Sequence, residues 1–218
     1  MKNILFLLLY LAITASFANA QTNQDNDDNQ SWNDVQITVP MTEKFDFFLQ
    51  GTWRFGKDIS RLNDRRIAVG FVYKPNKSLS ISPIYWNIVA RNAGGRFRQE
   101  NRLNLRVTYR FPFKKFGLSH RSGFEYRMRQ PRNSWRYRPS LTFEKGIEKI
   151  IPKSKFFITE EVFYDSVLKK ISRNRFSIGI NKTLTKNLSV DVFYLRQNDG
   201  FSVPGDLNVI GTSWKIKF

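Results

Sequence analysis

The sequence predicts an all-β protein, a closed antiparallel β-barrel that spans a membrane with about ten strands. Three observations predict it. The chain opens with an export signal, and from Trp32 onward segments of alternating apolar and polar residues recur between turns. The final strand ends on an aromatic residue, Phe218. In a transmembrane barrel such alternation points apolar side chains at lipid and polar side chains at the lumen.

The first twenty residues have the three parts of a secretory signal peptide. Lys2 supplies the positive charge, and Ile4 to Ala15 form an apolar core. Ala18-Asn19-Ala20 then presents small residues at a cleavage site, so we expect residues 1–20 to be removed after Ala20. The apolar run is too short for a transmembrane helix. The absence of cysteine excludes a lipid anchor, a disulfide and a thiolate metal site.

The composition indicates anionic partners outside the cytoplasm. The formal net charge is +18, from 36 Lys and Arg against 18 Asp and Glu. An exported protein rarely meets nucleic acid, so we expect outer-membrane lipids, lipopolysaccharide phosphates and small anions as partners, and no nucleic acid. Aromatic residues make up 15% of the chain, including 20 Phe, and a barrel places them in girdles against lipid.

The mature chain divides into a leader and a barrel. Residues 21–31 are polar and acidic and predict a flexible leader, and residues 32–218 form the barrel. Ten strands are expected: Phe45–Phe55, Arg65–Tyr73, Leu79–Val89, Phe97–Phe111, Phe116–Gln130, Ser134–Glu144, Lys155–Asp165, Ser172–Lys182, Leu188–Asn198 and Leu207–Phe218. Bacterial single-chain barrels have even strand numbers, so the short segment Asp34–Val39 is expected to lie inside the barrel or in the periplasm. Twelve strands, with one in the leader, is the alternative.

The turns and the last strand predict an orientation in the outer membrane. Tight turns that carry lysine alternate along the chain with longer loops, and in outer-membrane barrels the short turns are periplasmic. The tight set includes residues 74–77, 112–115 and 185–187, and the longer set includes residues 56–64, 90–96 and 199–206. Phe218 would then lie on the periplasmic side. Trp214, Ile216 and Phe218 share one face, which resembles the C-terminal signal read by the barrel assembly machinery.

The alternation also predicts a charged lumen. An arginine against lipid costs about 2–4 kcal/mol at the bilayer midplane, so the arginines should face inward. The predicted lumen-lining residues are Arg98, Glu100, Arg102, Arg106, Arg121, Glu125, Arg127, Arg129, Arg136, Arg138 and Glu144. They predict either a packing network of guanidinium and carboxylate groups, which we favour, or a cationic path that conducts anions. Leu79–Val89 and Leu188–Asn198 are apolar on both faces, which indicates bulges or an apolar patch inside.

Three smaller features of the sequence are candidates for a catalytic or metal-binding role. His120 and Ser122 lie two residues apart on the predicted outer wall, an arrangement similar to that of outer-membrane lipid A deacylases, in which His activates Ser. We interpret the two residues as an interfacial polar pair. Glu160 and Glu161 point to opposite faces, so one should join the arginines. Asp25, Asp27 and Asp28 lack the glycine and glutamate of a calcium loop. No cofactor or metal is predicted.

Short motifs along the barrel resemble those of domain-of-unknown-function family 2490. They are the opening residues 32–36 (WNDVQ), residues 98–102 (RQENR), 124–127 (FEYR), 136–138 (RYR) and 159–163 (TEEVF). The resemblance implies an outer-membrane barrel and assigns no reaction. The sequence therefore predicts a non-enzymatic outer-membrane barrel, either structural or a narrow anion-favouring channel. The alternative is a surface-acting lipid hydrolase that uses His120 and Ser122.

Overall fold

The protein is an all-β closed barrel in the computed structural model, which describes residues 27–218. Its eleven strands are β1 Asp27–Pro40, β2 Phe45–Gly56, β3 Arg61–Tyr73, β4 Leu79–Arg91, β5 Phe97–Phe111, β6 Gly117–Met128, β7 Ser134–Gly146, β8 Ser154–Asp165, β9 Lys170–Thr183, β10 Leu188–Asn198 and β11 Asp206–Lys217. The predicted fold class is confirmed, and the number of described strands is close to ten. The predicted signal peptide lies outside the described residues. No helix within residues 27–218 is long and apolar enough to cross a membrane.

The barrel closes through a parallel pair of strands. Each strand pairs antiparallel with its neighbour in sequence, whereas β1 pairs with β11 in parallel, from Asp27 opposite Asp206 to Thr38 opposite Lys217. An odd number of antiparallel strands leaves the first and last strands pointing in the same direction, so they can only close in parallel. The closure therefore departs from the wholly antiparallel barrel that we expected.

The predicted position of Asp34–Val39 is wrong. This segment belongs to β1, a full barrel strand that pairs with β2 as well as with β11. Residues 27–31, which we expected to be leader, form the start of the same strand. Its polar residues Asp28 and Gln30 are buried with Trp32 on one face. A strand whose inner face is polar has a weak apolar signal, which is why the sequence suggested a flexible leader there.

The two ends of the barrel carry loops of similar length. The end that holds Phe218, here called the Phe218 end, has connections 41–44, 74–78, 112–116, 147–153 and 184–187. The other, the Asp27 end, has connections 57–60, 92–96, 129–133, 166–169 and 199–205. Each end has loops of four to seven residues by these bounds, because several strands extend beyond their predicted limits. Loop length therefore does not indicate which end is periplasmic, and the orientation stays a prediction.

The outer face is apolar and the inner face is mixed. Exposed outward side chains include Leu49, Trp53, Ile67, Leu103, Leu105, Phe124, Tyr126, Trp135, Ile210 and Trp214. Inside, one apolar cluster joins β2, β3 and β4 through Phe48, Ala68, Ile84, Trp86 and Ile88. A second joins β1, β10 and β11 through Trp32, Leu195, Leu207 and Val209. These clusters account for the two strands that are apolar on both faces.

Candidate functional site inside the barrel

The inward faces of β5 and β6 bring three charged side chains together near the Asp27 end. Arg102 of β5 lies opposite Arg127 of β6 in the strand register. Glu100, two residues before Arg102, accepts hydrogen bonds from both: Arg102 Nε donates at 2.9 Å, and Arg127 donates through Nε at 2.9 Å and Nη2 at 2.7 Å. A two-bond contact between guanidinium and carboxylate fixes the geometry of both groups.

Glu125 is the most deeply buried carboxylate of this set. It is 2% exposed and accepts a hydrogen bond from Arg102 Nη1 at 3.0 Å and another from Arg138 Nη1. Arg138 also donates through Nη2 to Glu161 of β8 at 2.9 Å, and Arg121 of β6 donates to the other oxygen of Glu161 at 2.8 Å. The ion pairs thus continue from β5 through β6 and β7 to β8.

Asp165 extends this series of ion pairs toward the Asp27 end. It accepts a hydrogen bond from Arg136 Nε at 2.8 Å, and Arg127 Nη1 lies 3.9 Å from its Oδ2 atom. The connected residues, here called the arginine network, are Arg102, Arg121, Arg127, Arg136 and Arg138 with Glu100, Glu125, Glu161 and Asp165. Five cations meet four anions, so the network is nearly neutral.

Four of the residues predicted to line the lumen lie outside the arginine network. The side chains of Arg106 and Arg98 make no hydrogen bond or ion pair within residues 27–218, and Arg98 is exposed. Arg129 reaches Glu100 only at 4.0 Å and is about one third exposed, with a side-chain exposure of 35%. Glu144 lies opposite Gly117 near the Phe218 end and makes no ion pair with any described residue.

Several charged residues that face the interior were not among the predicted lumen-lining residues. Of the adjacent glutamates, Glu161 joins the arginines, as expected for one of the two, while Glu160 accepts a hydrogen bond from Asn174. Asp165 is the last residue of β8, where the alternation of apolar and polar residues is weak. The sequence pattern therefore did not predict that Asp165 faces the arginines. Arg175 alternates with Phe176 in β9, so the signal that it faces inward was present in the sequence.

Several arginine guanidinium groups lie over aromatic rings inside the barrel. Trp32 of β1 has the guanidinium of Arg54 at 3.6 Å from its ring centroid and that of Arg175 at 4.8 Å. Phe163 of β8 has Arg138 at 4.4 Å and Arg175 at 4.8 Å. Since β10 and β11 separate β9 from β1 in the wall, Arg175 contacts Trp32 across the interior.

Side chains are tightly packed on the inner face between the middle of the barrel and the Asp27 end. Seven strands each contribute a side chain that is at most 2% exposed: Thr52, Ala68, Glu125, Ser140, Phe163, Gln197 and Val209. Their neighbours along each strand are less buried, so these residues belong to the inner face. In a water-filled lumen such side chains would be wet. Side chains therefore fill this part of the barrel.

An open cavity lies above this closed part, at the Asp27 end. Its volume is about 710 Å³, and eight arginines and three carboxylates line it. Glu100, Arg127 and Arg136 of the arginine network form its floor. We call this cavity the vestibule. One of its carboxylates, Asp199, lies in the loop before β11; burial would raise its pKa, but the charge of Arg173 and hydrogen bonds from Ser202 and Phe201 hold that pKa below its usual value.

The outer wall carries the polar pair that the sequence predicted. His120 Nε2 lies 3.1 Å from Ser122 Oγ, and Ser122 Oγ lies 3.1 Å from Tyr137 Oη. No carboxylate within residues 27–218 forms a hydrogen bond with His120. The pair therefore has a nucleophile and a base in contact but lacks the third group that orients the base in a hydrolase triad. Within the described residues no cluster of three or more possible metal ligands occurs.

Several solved structures share the barrel fold at low sequence identity. "NanC porin structure in rhombohedral crystal form." matches with a TM-score of 0.51 and 11% identity, over 88% of this chain and 99% of that one. "KdgM porin" matches with a TM-score of 0.48 and 12% identity, over 75% and 81%. "Anion-selective porin from Comamonas acidovorans" matches with a TM-score of 0.41 and 12% identity, over 80% and 54%. The first of these supports the fold alone.

The family comparison is more specific. No curated protein matches the chain. A family model described as "Protein of unknown function (DUF2490)" matches residues 29–207, which include the strands that form the arginine network and the first apolar cluster. The predicted family resemblance is thereby confirmed, and the chain belongs to this family of proteins of unknown function, DUF2490.

Proposed function

We propose that this chain is an exported outer-membrane barrel that is not an enzyme, that stays closed, and that has a structural or binding role. The packed inner face carries the proposal: seven strands each contribute an inward side chain that is at most 2% exposed. The apolar outer face supports a lipid environment, because an aqueous barrel would expose those side chains to water. The signal peptide and the C-terminal Phe218 support export to the outer membrane.

Planar-bilayer conductance tests the closed state. Purified wild-type barrel should give no discrete conductance steps in potassium chloride. The double variant Trp32→Ala with Arg175→Ser removes the contact that crosses the interior and should open steps that favour anions, because unpaired arginines then line the path. Trp53→Ala, on the outer face, is the matched control and should stay silent. Regular steps from the wild-type protein would instead support the narrow anion-favouring channel.

The location of the protein and its orientation in the outer membrane can be tested separately. The mature protein should begin at Gln21 and fractionate with outer membranes. We place the lysines of the Phe218 end in the periplasm, where Lys77, Lys114, Lys115 and Lys186 are within reach of inner-leaflet headgroups. A cysteine at Lys114 should resist a membrane-impermeant thiol reagent in whole cells, while one at Gly94, at the Asp27 end, should react. The opposite labelling pattern would reverse the orientation.

The lipid-hydrolase alternative rests on one observation, the 3.1 Å contact between His120 and Ser122. If it holds, cells that express the protein lose acyl chains from lipid A or phospholipid, and Ser122→Ala abolishes the loss while Ser119→Ala on the same strand does not. We expect the lipid mass spectra to be the same with and without the gene. An acyl loss that depends on Ser122 would contradict the non-enzymatic proposal.

A further inference from the structure

We propose that the vestibule is a binding site for a small organic anion that carries two or more carboxylate or phosphate groups. The inference deepens the proposed function, because the closed interior supplies the floor on which such a ligand would rest. The vestibule volume of about 710 Å³ lies in the range of roughly 300–1,000 Å³ found for small-molecule sites.

The vestibule has more positive charge than its own carboxylates can neutralise. Eight arginines line it against Glu100, Asp165 and Asp199, a difference of 8 − 3 = +5, and the ion pairs of Arg66 with Asp64 and of Arg102 with Glu125 reduce this excess to 5 − 2 = +3. Asp199 is occupied by Arg173, and Asp165 accepts a hydrogen bond from Arg136. A cavity with this excess of fixed charge, walled by a low-dielectric barrel, attracts anions.

Three arginines of the vestibule have guanidinium N–H groups with no hydrogen-bond partner among the described residues. Arg98 makes no ion pair with any described residue, and Arg129 lies 4.0 Å from its nearest carboxylate oxygen. Arg136 donates its Nε to Asp165, and neither of its Nη atoms has a hydrogen-bond partner within residues 27–218. These residues come from β5, the loop after β6, and β7, which are neighbours in the wall, so they line the cavity from one side. Guanidinium groups recognise carboxylate and phosphate by paired hydrogen bonds.

Apolar side chains in the lining of the vestibule indicate an organic ligand rather than an inorganic ion. Ile88 and Ala90 of β4 line it together with Leu168 and Phe201 from two loops of the Asp27 end. A carbon skeleton would cover these side chains, whereas an inorganic ion would leave them against water. The arginines would bind the charged groups of the ligand, and the apolar side chains would contact its carbon skeleton.

Isothermal titration of the purified full-length barrel in detergent tests the proposal. Citrate and fructose 1,6-bisphosphate are the probes, one for carboxylate and one for phosphate. We expect at least one of them to bind with one molecule per barrel, and which one binds tells the two chemistries apart. Glucose should not bind, and inorganic phosphate should bind about tenfold more weakly, a difference of roughly 1.4 kcal/mol. Equal affinity for inorganic phosphate would overturn the proposal, because it indicates general counterion attraction.

Matched variants localise the binding. Arg98→Gln with Arg129→Gln removes two charges from the vestibule and should weaken binding by about tenfold or more, roughly 1.4 kcal/mol. Arg110→Gln with Lys115→Gln removes two charges from exposed positions at the Phe218 end and should leave binding unchanged. Each variant is checked for the gel shift on heating that marks a folded barrel. Equal losses from both pairs would contradict the site.

The outcomes also separate this proposal from the closed-barrel proposal. A conducting wild-type barrel that still binds the probe would refute closure and leave the vestibule site intact. A silent barrel that binds neither probe would refute the site and leave closure intact.

Discussion

The interior of the barrel is closed in two physically different ways. On the side of β5 to β8, the arginine network fills the space with ion pairs such as Arg102 with Glu125 and Arg138 with Glu161. On the side of β2 to β4, Phe48, Trp86 and Ile88 belong to a compact apolar cluster. Both sides bury side chains, yet one depends on matched charges and the other on packed volume.

This difference determines how each side should fail. Removing one partner of a buried ion pair leaves the other charge uncompensated, which costs far more than the pair contributes when it is intact. Removing a methyl group from an apolar cluster costs the lost transfer free energy and the cavity left behind. The charged side should therefore fail abruptly and the apolar side gradually.

The largest effect should come from Glu125→Gln. Glu125 is 2% exposed and is shared by Arg102 and Arg138, so the substitution removes one counterion from each and leaves them only Glu100 and Glu161. We expect the free energy of unfolding to fall by about 3–5 kcal/mol, measured by urea titration of the barrel in lipid vesicles.

Glu144→Gln is the matched control for this change. Glu144 makes no ion pair with any described residue and is only partly buried, so its effect should stay within about 0.5 kcal/mol. Similar losses from both variants would mean that the arginine network is screened by water and that the interior is wetter than the burial of Glu125 indicates.

Much of the charged side could be predicted from the sequence. In β5 the alternation of arginine with Leu103, Leu105 and Tyr109 distinguishes the two faces, because a slip by one residue would put several charges in lipid. The individual ion pairs could not be predicted in this way. They depend on the register between strands, which sets Glu125 opposite Arg136 and brings Glu161 within reach of Arg121 two strands away.

The second apolar cluster should respond to overpacking, with an intermediate effect. Gly211 of β11 lies under the ring of Phe193, and a Cβ atom at this position would come within 2.2 Å of that ring. Gly211→Ala should therefore destabilise the barrel by about 1–3 kcal/mol, as extra volume in a packed core does. Gly200→Ala, in a loop with no atom within 4 Å of the added Cβ, is the control and should be nearly neutral. A neutral Gly211→Ala would indicate that Phe193 can move into open lumen.

The apolar side and the closure were harder to predict. Pattern alone allowed either bulges or an internal apolar patch in β4 and β10, since alternation cannot assign a face when both faces are apolar. The parallel pairing of β1 with β11 had no local signal, because it depends on the number of strands and not on any one of them. The contact of Arg175 with Trp32 crosses the interior and depends on closure of the barrel. The sequence pattern could therefore not predict this contact either.

The smallest effect should distinguish the inner face of the apolar side from its lipid face. Ile88 of β4 is 3% exposed inside the first apolar cluster, and Ile67 of β3 is 69% exposed on the outer wall. Ile88→Val removes one methyl group from a packed cluster and should cost about 0.5–1.5 kcal/mol. Ile67→Val removes the same group from a surface that lipid chains can fill, so its cost should lie near zero. Paired urea titrations in the same vesicles measure the difference directly, and equal costs at both positions would mean that the barrel interior packs no more tightly than lipid packs against its wall.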